Sequence, residues 1–214
     1  MHLISKNIND GPTPVLLTKN THPSFIGSWI LDDLSICDRL IAYVEDEDAR
    51  DRGDVGEGLV YSSEDRKKVV NKKSKISFDR RLSFKYEVCV DYSIELQKCL
   101  NMYFEEYPCS NDVGIFTDGG ETGNVQKYPK GGGYFNWHCE RSSNANSSRH
   151  LTYMTYLNDV TDAGETEFLH QKLKVKPKKG LTLIWPCDWT FFHRGIASQT
   201  QVKYIATGWY CFTD

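Results

Sequence analysis

The chain has 214 residues, 39% apolar and 13% aromatic, which predicts a single domain (1–214) with enough apolar material for a sizeable core. Its 26 basic and 29 acidic residues leave a net charge of −3, so a nucleic-acid partner, which needs a basic surplus, is not expected. No apolar run approaches the roughly 18 residues of a membrane span, and the opening Met1-His2-Leu3-Ile4-Ser5-Lys6 has no signal-peptide pattern, so no membrane partner is expected either.

Two segments in the first half read as helices. In Asp32 to Val44, apolar residues 34, 37, 40, 41 and 44 recur at three and four, and aspartates stand at the positive helix end. The second runs from about Val90 to Tyr107, with Ile94, Leu96, Leu100, Tyr103 and Phe104 on its apolar side and Pro108 ending it. Between them lie seven acids over residues 45–57 and six Lys/Arg over 64–75, expected to be solvated loops. From Gly114 onward short strand-like runs alternate with Gly, Asn and Asp. The clearest are Gly133–Glu140, His150–Leu157, Thr166–Leu169, Lys172–Val175, Leu181–Trp185, Thr190–His193 and Val202–Phe212. The fold class this predicts is α+β: helical support over about 1–112, and a jelly-roll (double-stranded β-helix) core over about 113–214. Seven scattered cysteines without a C-x-x-C pair or a secretory signal predict reduced thiols and a cytoplasmic location.

Three places along the strand-rich half carry residues suited to chemistry. In Tyr134-Phe135-Asn136-Trp137-His138-Cys139-Glu140, a strand would put His138 and Glu140 on one face and Cys139 on the other. The plain alternative is an exposed histidine on a barrel strand. His193, before Gly195, can meet that pair from a neighbouring strand if the sheet closes. Two histidines and one carboxylate form the facial triad that leaves three positions open on Fe(II), whereas a closed zinc site needs a fourth ligand. Cys139 points the wrong way for that role, and Cys187 lacks supporting spacing. Further on, Lys203, Ile205, Thr207 and Trp209 share one strand face. An inward lysine there calls for an anionic partner; an exposed lysine on an edge strand is the alternative. His2, His22, His150 and His170 are not expected to be ligands.

Taken together, these segments resemble the 2-oxoglutarate and Fe(II)-dependent oxygenases, specifically the prolyl 4-hydroxylase-like branch. The resemblance lies in Tyr128-Pro129-Lys130-Gly131-Gly132-Gly133 leading into His138-Cys139-Glu140, then Leu151 to Asn158, Gly164-Glu165-Thr166-Glu167-Phe168, Pro177 to Gly180, His193, and Lys203 to Trp209. It implies that His138, Glu140 and His193 hold Fe(II). Lys203 and Tyr128 would face the distal carboxylate of 2-oxoglutarate, Thr155 would line the same pocket, and Trp209 would belong to the barrel wall near it. Trp209 has core packing as its plain alternative. Glu140 stands where this branch has Asp. The implied reaction couples O2 and oxidative decarboxylation of 2-oxoglutarate to hydroxylation of a substrate C–H bond, with release of succinate and CO2; ascorbate is compatible with that chemistry.

The branch resemblance points to a prolyl residue in a peptide or protein partner. The small polar residues of the loop Arg141 to Arg149 suit a mobile lid beside the site, with a plain connector as the alternative, and the segment Arg50 to Lys75 can likewise fold over a peptide. A related oxygenase acting on a small molecule or free amino acid is the alternative, as is a non-catalytic jelly-roll binding module. The nucleic-acid dealkylating branch is disfavoured, because its pair of arginines after the second histidine is missing.

Overall fold

A computed structural model describes residues 13–14, 24–62, 67–114, 116–117 and 123–213. Its first half contains β1 (Thr13–Pro14), β2 (Gly27–Ile30), α1 (Ser35–Glu45), α2 (Glu47–Asp51), β3 (Val55–Glu57), β4 (Leu59–Ser62), β5 (Lys67–Val70), β6 (Phe78–Arg81) and α3 (Glu87–Glu106). The second half supplies β7 (Phe116–Thr117), β8 (Asn124–Tyr128), β9 (Arg149–Tyr156), β10 (Thr166–Phe168), β11 (Leu173–Val175), β12 (Leu181–Pro186), β13 (His193–Gly195) and β14 (Lys203–Phe212).

A large antiparallel sheet runs in the order β1-β2-β12-β9-β14-β8-β6-β3, with β7 also paired to β14. A second, small sheet has the order β11-β10-β13, and β4 and β5 form a separate hairpin. Side-chain alternation explains the layering. Along β9, Leu151 and Tyr153 join a core shared with α1 and α3, while Met154 and Tyr156 join a second core together with Phe168, Leu173 and Val175 of the small sheet. The large sheet is therefore covered by helices on one face and by the small sheet on the other, so its central strand is buried on both. This is the jelly-roll architecture with helical support that the sequence predicts.

α3 buries Cys89, Tyr92, Leu96, Cys99, Leu100 and Tyr103, a stripe at helical spacing. Its buried Glu95 accepts the backbone N–H groups of Asp32 and Asp33 and so pins the entry to α1. Ile94, expected on the apolar side, is exposed.

Three expectations differ from what is observed. The helical support also contains β2, β3 and β6, which extend the large sheet, and the hairpin of β4 and β5. These strands are only three or four residues long, too short for a clear period of two. Gly133–Glu140 is not a strand: it is irregular, with isolated bridges at Lys75–Tyr134 and His138–His193. Its entry is a glycine turn in which Gly131 has φ +75° and a Cβ on Gly132 would lie 2.8 Å from the Ile76 carbonyl oxygen. Thr190–His193 is likewise not continuous strand, because a 3-10 turn over Trp189–Phe191 precedes β13.

Candidate metal centre

His138, Glu140 and His193 form the single cluster among the described residues whose ligand atoms could share one metal, all within 4.8 Å of one another. A strand does not bring His138 and Glu140 together. The two histidine backbones instead exchange hydrogen bonds, His138 N–H to His193 O at 3.0 Å and the reverse at 2.9 Å. The next turn is tied down where Glu140 and Arg141 both donate to the Cys187 carbonyl. Cys187 thus contributes its backbone, and its thiol contacts Thr152 Oγ1 at 3.1 Å.

Each imidazole is fixed by its far nitrogen. His138 Nδ1 donates to the Asn136 carbonyl and His193 Nδ1 to the Phe191 carbonyl, both at 2.9 Å. With Nδ1 so engaged, both Nε2 atoms face Glu140 Oε1, each 3.5 Å from it, where either a proton or a metal ion can lie between them. Tyr134 stacks on His138 with ring centroids 3.7 Å apart. Burial, and then the neighbouring His193 charge, push the His138 pKa down. Burial pushes the Glu140 carboxyl up, but hydrogen bonds and charge from His138 and His193 outweigh it and hold the group well below the usual carboxylate range. Neutral imidazole beside ionised carboxylate is the form that accepts a divalent cation. The donor set fits Fe(II), with room for further ligands because the three atoms open onto a cavity of about 640 Å³.

Lys203, Ile205, Thr207 and Trp209 all line that cavity, as their shared strand face requires. Lys203 is buried, donates to the Gly164 carbonyl at 3.0 Å and lies 4.9 Å from the Tyr128 ring centre. Burial lowers its pKa to about 8, against a smaller opposing pull from Glu165. Gly164 has φ +85°, which suits the turn that presents this carbonyl. Tyr128 pairs directly with Lys203 across β8 and β14, and its hydroxyl donates to Gln126 Oε1 at 2.6 Å.

Thr155 does not reach the cavity. Its hydroxyl is buried between Tyr92 and Thr182, 2.8 Å from each, on the helix side of β9. The inner face belongs to its neighbours Met154 and Tyr156, because one residue along a strand reverses the direction of the side chain. Tyr156 donates to Thr166 Oγ1, a cavity residue, at 2.7 Å.

Two contacts to the carboxylate were not foreseen. Trp209 Nε1 donates to Glu140 Oε2 at 2.8 Å, and Arg149 donates to the same oxygen at 3.3 Å. Only the inward register of Trp209 hinted at the first, and an arginine at a loop end gave no sign of the second. His150 and His170 are engaged elsewhere, with the Ser110 carbonyl and the Trp189 ring; His2 and His22 lie outside the described residues.

Residues 123–211 match the family model described as "2OG-Fe(II) oxygenase superfamily". No curated protein matches the chain. Among solved structures, a prolyl-4-hydroxylase of Pseudomonas putida is similar at a TM-score of 0.63 and 15% identity, over 89% of this chain and 94% of that one. A viral collagen prolyl hydroxylase from Paramecium Bursaria Chlorella virus-1 gives 0.60 and 21%, over 89% and 97%. A prolyl hydroxylase from Trichoplax adhaerens, in complex with a hypoxia inducible factor oxygen degradation domain peptide fragment, gives 0.66 and 17%, over 87% and 83%. The matched segment contains the His-Glu-His cluster and the lysine-bearing strand beside it. The chain therefore has a prolyl 4-hydroxylase-like fold, and its residues 123–211, which hold the candidate metal centre, are similar to the 2OG-Fe(II) oxygenase superfamily.

Proposed function

We propose that the protein hydroxylates a C–H bond of a prolyl residue within a peptide or protein, forming succinate and CO2 from 2-oxoglutarate. The observation that carries this reading is the lining of the cavity. It joins the triad and Lys203 to Gly56, Leu59, Val60 and Lys68 of the first half and to Ser142, Ser143, Ala145 and Asn146 of the loop after the metal pair. A cavity of about 640 Å³ whose lining draws on two chain segments beyond the metal ligands and the lysine offers contacts to a substrate larger than a free amino acid. Two similar structures are described as a collagen prolyl hydroxylase and as a prolyl hydroxylase bound to a peptide fragment, which supports the same reading.

The division of labour follows from the side chains. His138, Glu140 and His193 would hold Fe(II), and their outward hydrogen bonds keep the donor atoms in place before the metal arrives. With 2-oxoglutarate and O2, the bound iron supplies the oxidising power that converts C–H to C–OH. Lys203 provides the positive charge for the distal carboxylate, with the Tyr128 ring beside it. Met154, Trp185 and Ile205 make the floor between them apolar and limit water near the reacting carbon. The loop after the metal pair and the β4–β5 hairpin would flank the peptide. We also propose a reducing compartment, since all seven cysteines are free thiols.

The test is anaerobic loading with Fe(II) and 2-oxoglutarate, followed by O2 and mass spectrometry of proline-containing peptides. One added oxygen per prolyl residue, matched by succinate, is expected. Succinate formed with free proline but with no peptide would overturn the peptide assignment. No coupled succinate with either would overturn the prolyl reading.

A further inference from the structure

We propose that Trp209 is a positioning residue, which, with Arg149 braced behind it, restrains Glu140 to bind metal through one oxygen only. The inference rests on the metal centre described above and concerns how a glutamate can serve there. Compared with aspartate, glutamate has one more methylene and one more rotatable bond, so its carboxylate can swing and can offer both oxygens to a cation. A two-oxygen grip would occupy one of the positions that the cosubstrate and O2 require.

The geometry divides the two oxygens. Oε1 lies 3.5 Å from both histidine Nε2 atoms, on the metal side. Oε2 is turned away and accepts the indole N–H of Trp209 at 2.8 Å and Arg149 Nη1 at 3.3 Å. The same Arg149 nitrogen donates to the Glu140 carbonyl oxygen at 2.9 Å, so one guanidinium holds the residue at both backbone and side chain. Its central carbon sits 3.4 Å from the centre of the Trp209 ring, which stacks indole and guanidinium together. Both anchors stand on β9 and β14, which pair side by side in the middle of the large sheet.

An aromatic residue packed only for its bulk would have no need to direct a donor at the carboxylate. The indole N–H is a donor that cannot accept, so it can satisfy only an oxygen such as Oε2. Saturating that oxygen by donors leaves Oε1 as the one presented to the cation.

The experiment compares the full chain with Trp209→Phe, Glu140→Asp and the double variant. Each is titrated anaerobically with Fe(II) alone, and the ligand-field circular dichroism of the iron is recorded. Trp209→Phe should keep the fold, weaken Fe(II) binding by about tenfold or more and shift the ligand-field bands, as loss of a partner behind a ligand does. In the Glu140→Asp background the shorter side chain withdraws from the indole, so adding Trp209→Phe should change neither affinity nor spectrum. Equal losses in both backgrounds, or parental affinity and spectrum in Trp209→Phe, would overturn the clamp. If Trp209→Phe does not fold, Arg149→Met replaces it under the same two criteria. A parent chain that takes up no Fe(II) overturns the metal centre and the clamp with it. Normal uptake with indifference to Trp209 overturns the clamp alone.

Discussion

Lys203 and Thr155 show at the residue scale how burial sets a role. Lys203 is held inside the cavity with a carbonyl rather than an acid as its hydrogen-bonding partner, and burial brings its pKa down to about 8. The ammonium form is therefore complete below that pH and is lost above it in the free protein. An anion bound beside it favours the proton, so affinity for 2-oxoglutarate should be level below pH 8. Above pH 8 it should fall by about tenfold per unit, with proton uptake on binding. Calorimetry in buffers of different ionisation enthalpy checks this, and a flat profile through pH 9 would contradict it. Lys203→Ala should weaken 2-oxoglutarate binding strongly while Fe(II) affinity stays nearly intact. Thr155 presents the opposite case, a buried hydroxyl serving only its neighbours Tyr92 and Thr182. Thr155→Val should cost about 1–3 kcal/mol in denaturant unfolding, since it strips partners from buried hydroxyls. The Kd for 2-oxoglutarate should not move. A large change in that Kd with unaltered stability would return Thr155 to the cavity.

At the scale of elements, β4 and β5 pair with each other and, among the described residues, with no other strand. Leu59, Val60 and Lys68 nevertheless face the cavity, and Leu59 is largely exposed although apolar. An exposed apolar residue beside the cavity fits contact with substrate better than support of the fold. Replacing residues 59–70 with a short turn should leave Fe(II) and 2-oxoglutarate binding close to the parent while raising the KM for a peptide substrate at least about tenfold, on the order of 1.4 kcal/mol. Equal loss of cosubstrate binding would show that the hairpin shapes the metal end instead. The acidic run 45–57 and the basic run 64–75, expected as loops, contain α2, β3 and β5, because strands of three and four residues do not betray their pairing in the sequence. The helices are another matter. α1 and α3 carry long apolar stripes, and their observed bounds fall within three residues of those read from spacing.

For the whole molecule, the strand-rich half does not stand alone. β12 pairs with β2, β8 pairs with β6, and the core on the helix side of the sheet draws Leu40, Tyr92, Leu96 and Tyr103 from the first half. Residues 113–214 expressed by themselves should therefore lack near-ultraviolet circular dichroism and a cooperative melt, because that face would expose Tyr153, Ile184 and Tyr210 to water. A cooperative transition in the fragment would disprove this. The sequence by itself determined α1 and α3, the strands β9, β10, β11, β12 and β14, the shared face of Lys203 and Trp209, and the residue types of the candidate donors His138, Glu140 and His193. Those features repeat with a fixed period or consist of residue types, which any single stretch of chain displays. Tertiary structure decided the rest. Glu140 meets the histidines through a bridge between distant backbones, Thr155 turns to the helices because β9 is buried on both faces and gives no polar-apolar alternation to read, and Arg149 reaches Glu140 only after the loop between them closes. Each depends on contacts across the fold, where spacing along the chain carries no information about which way a side chain will face.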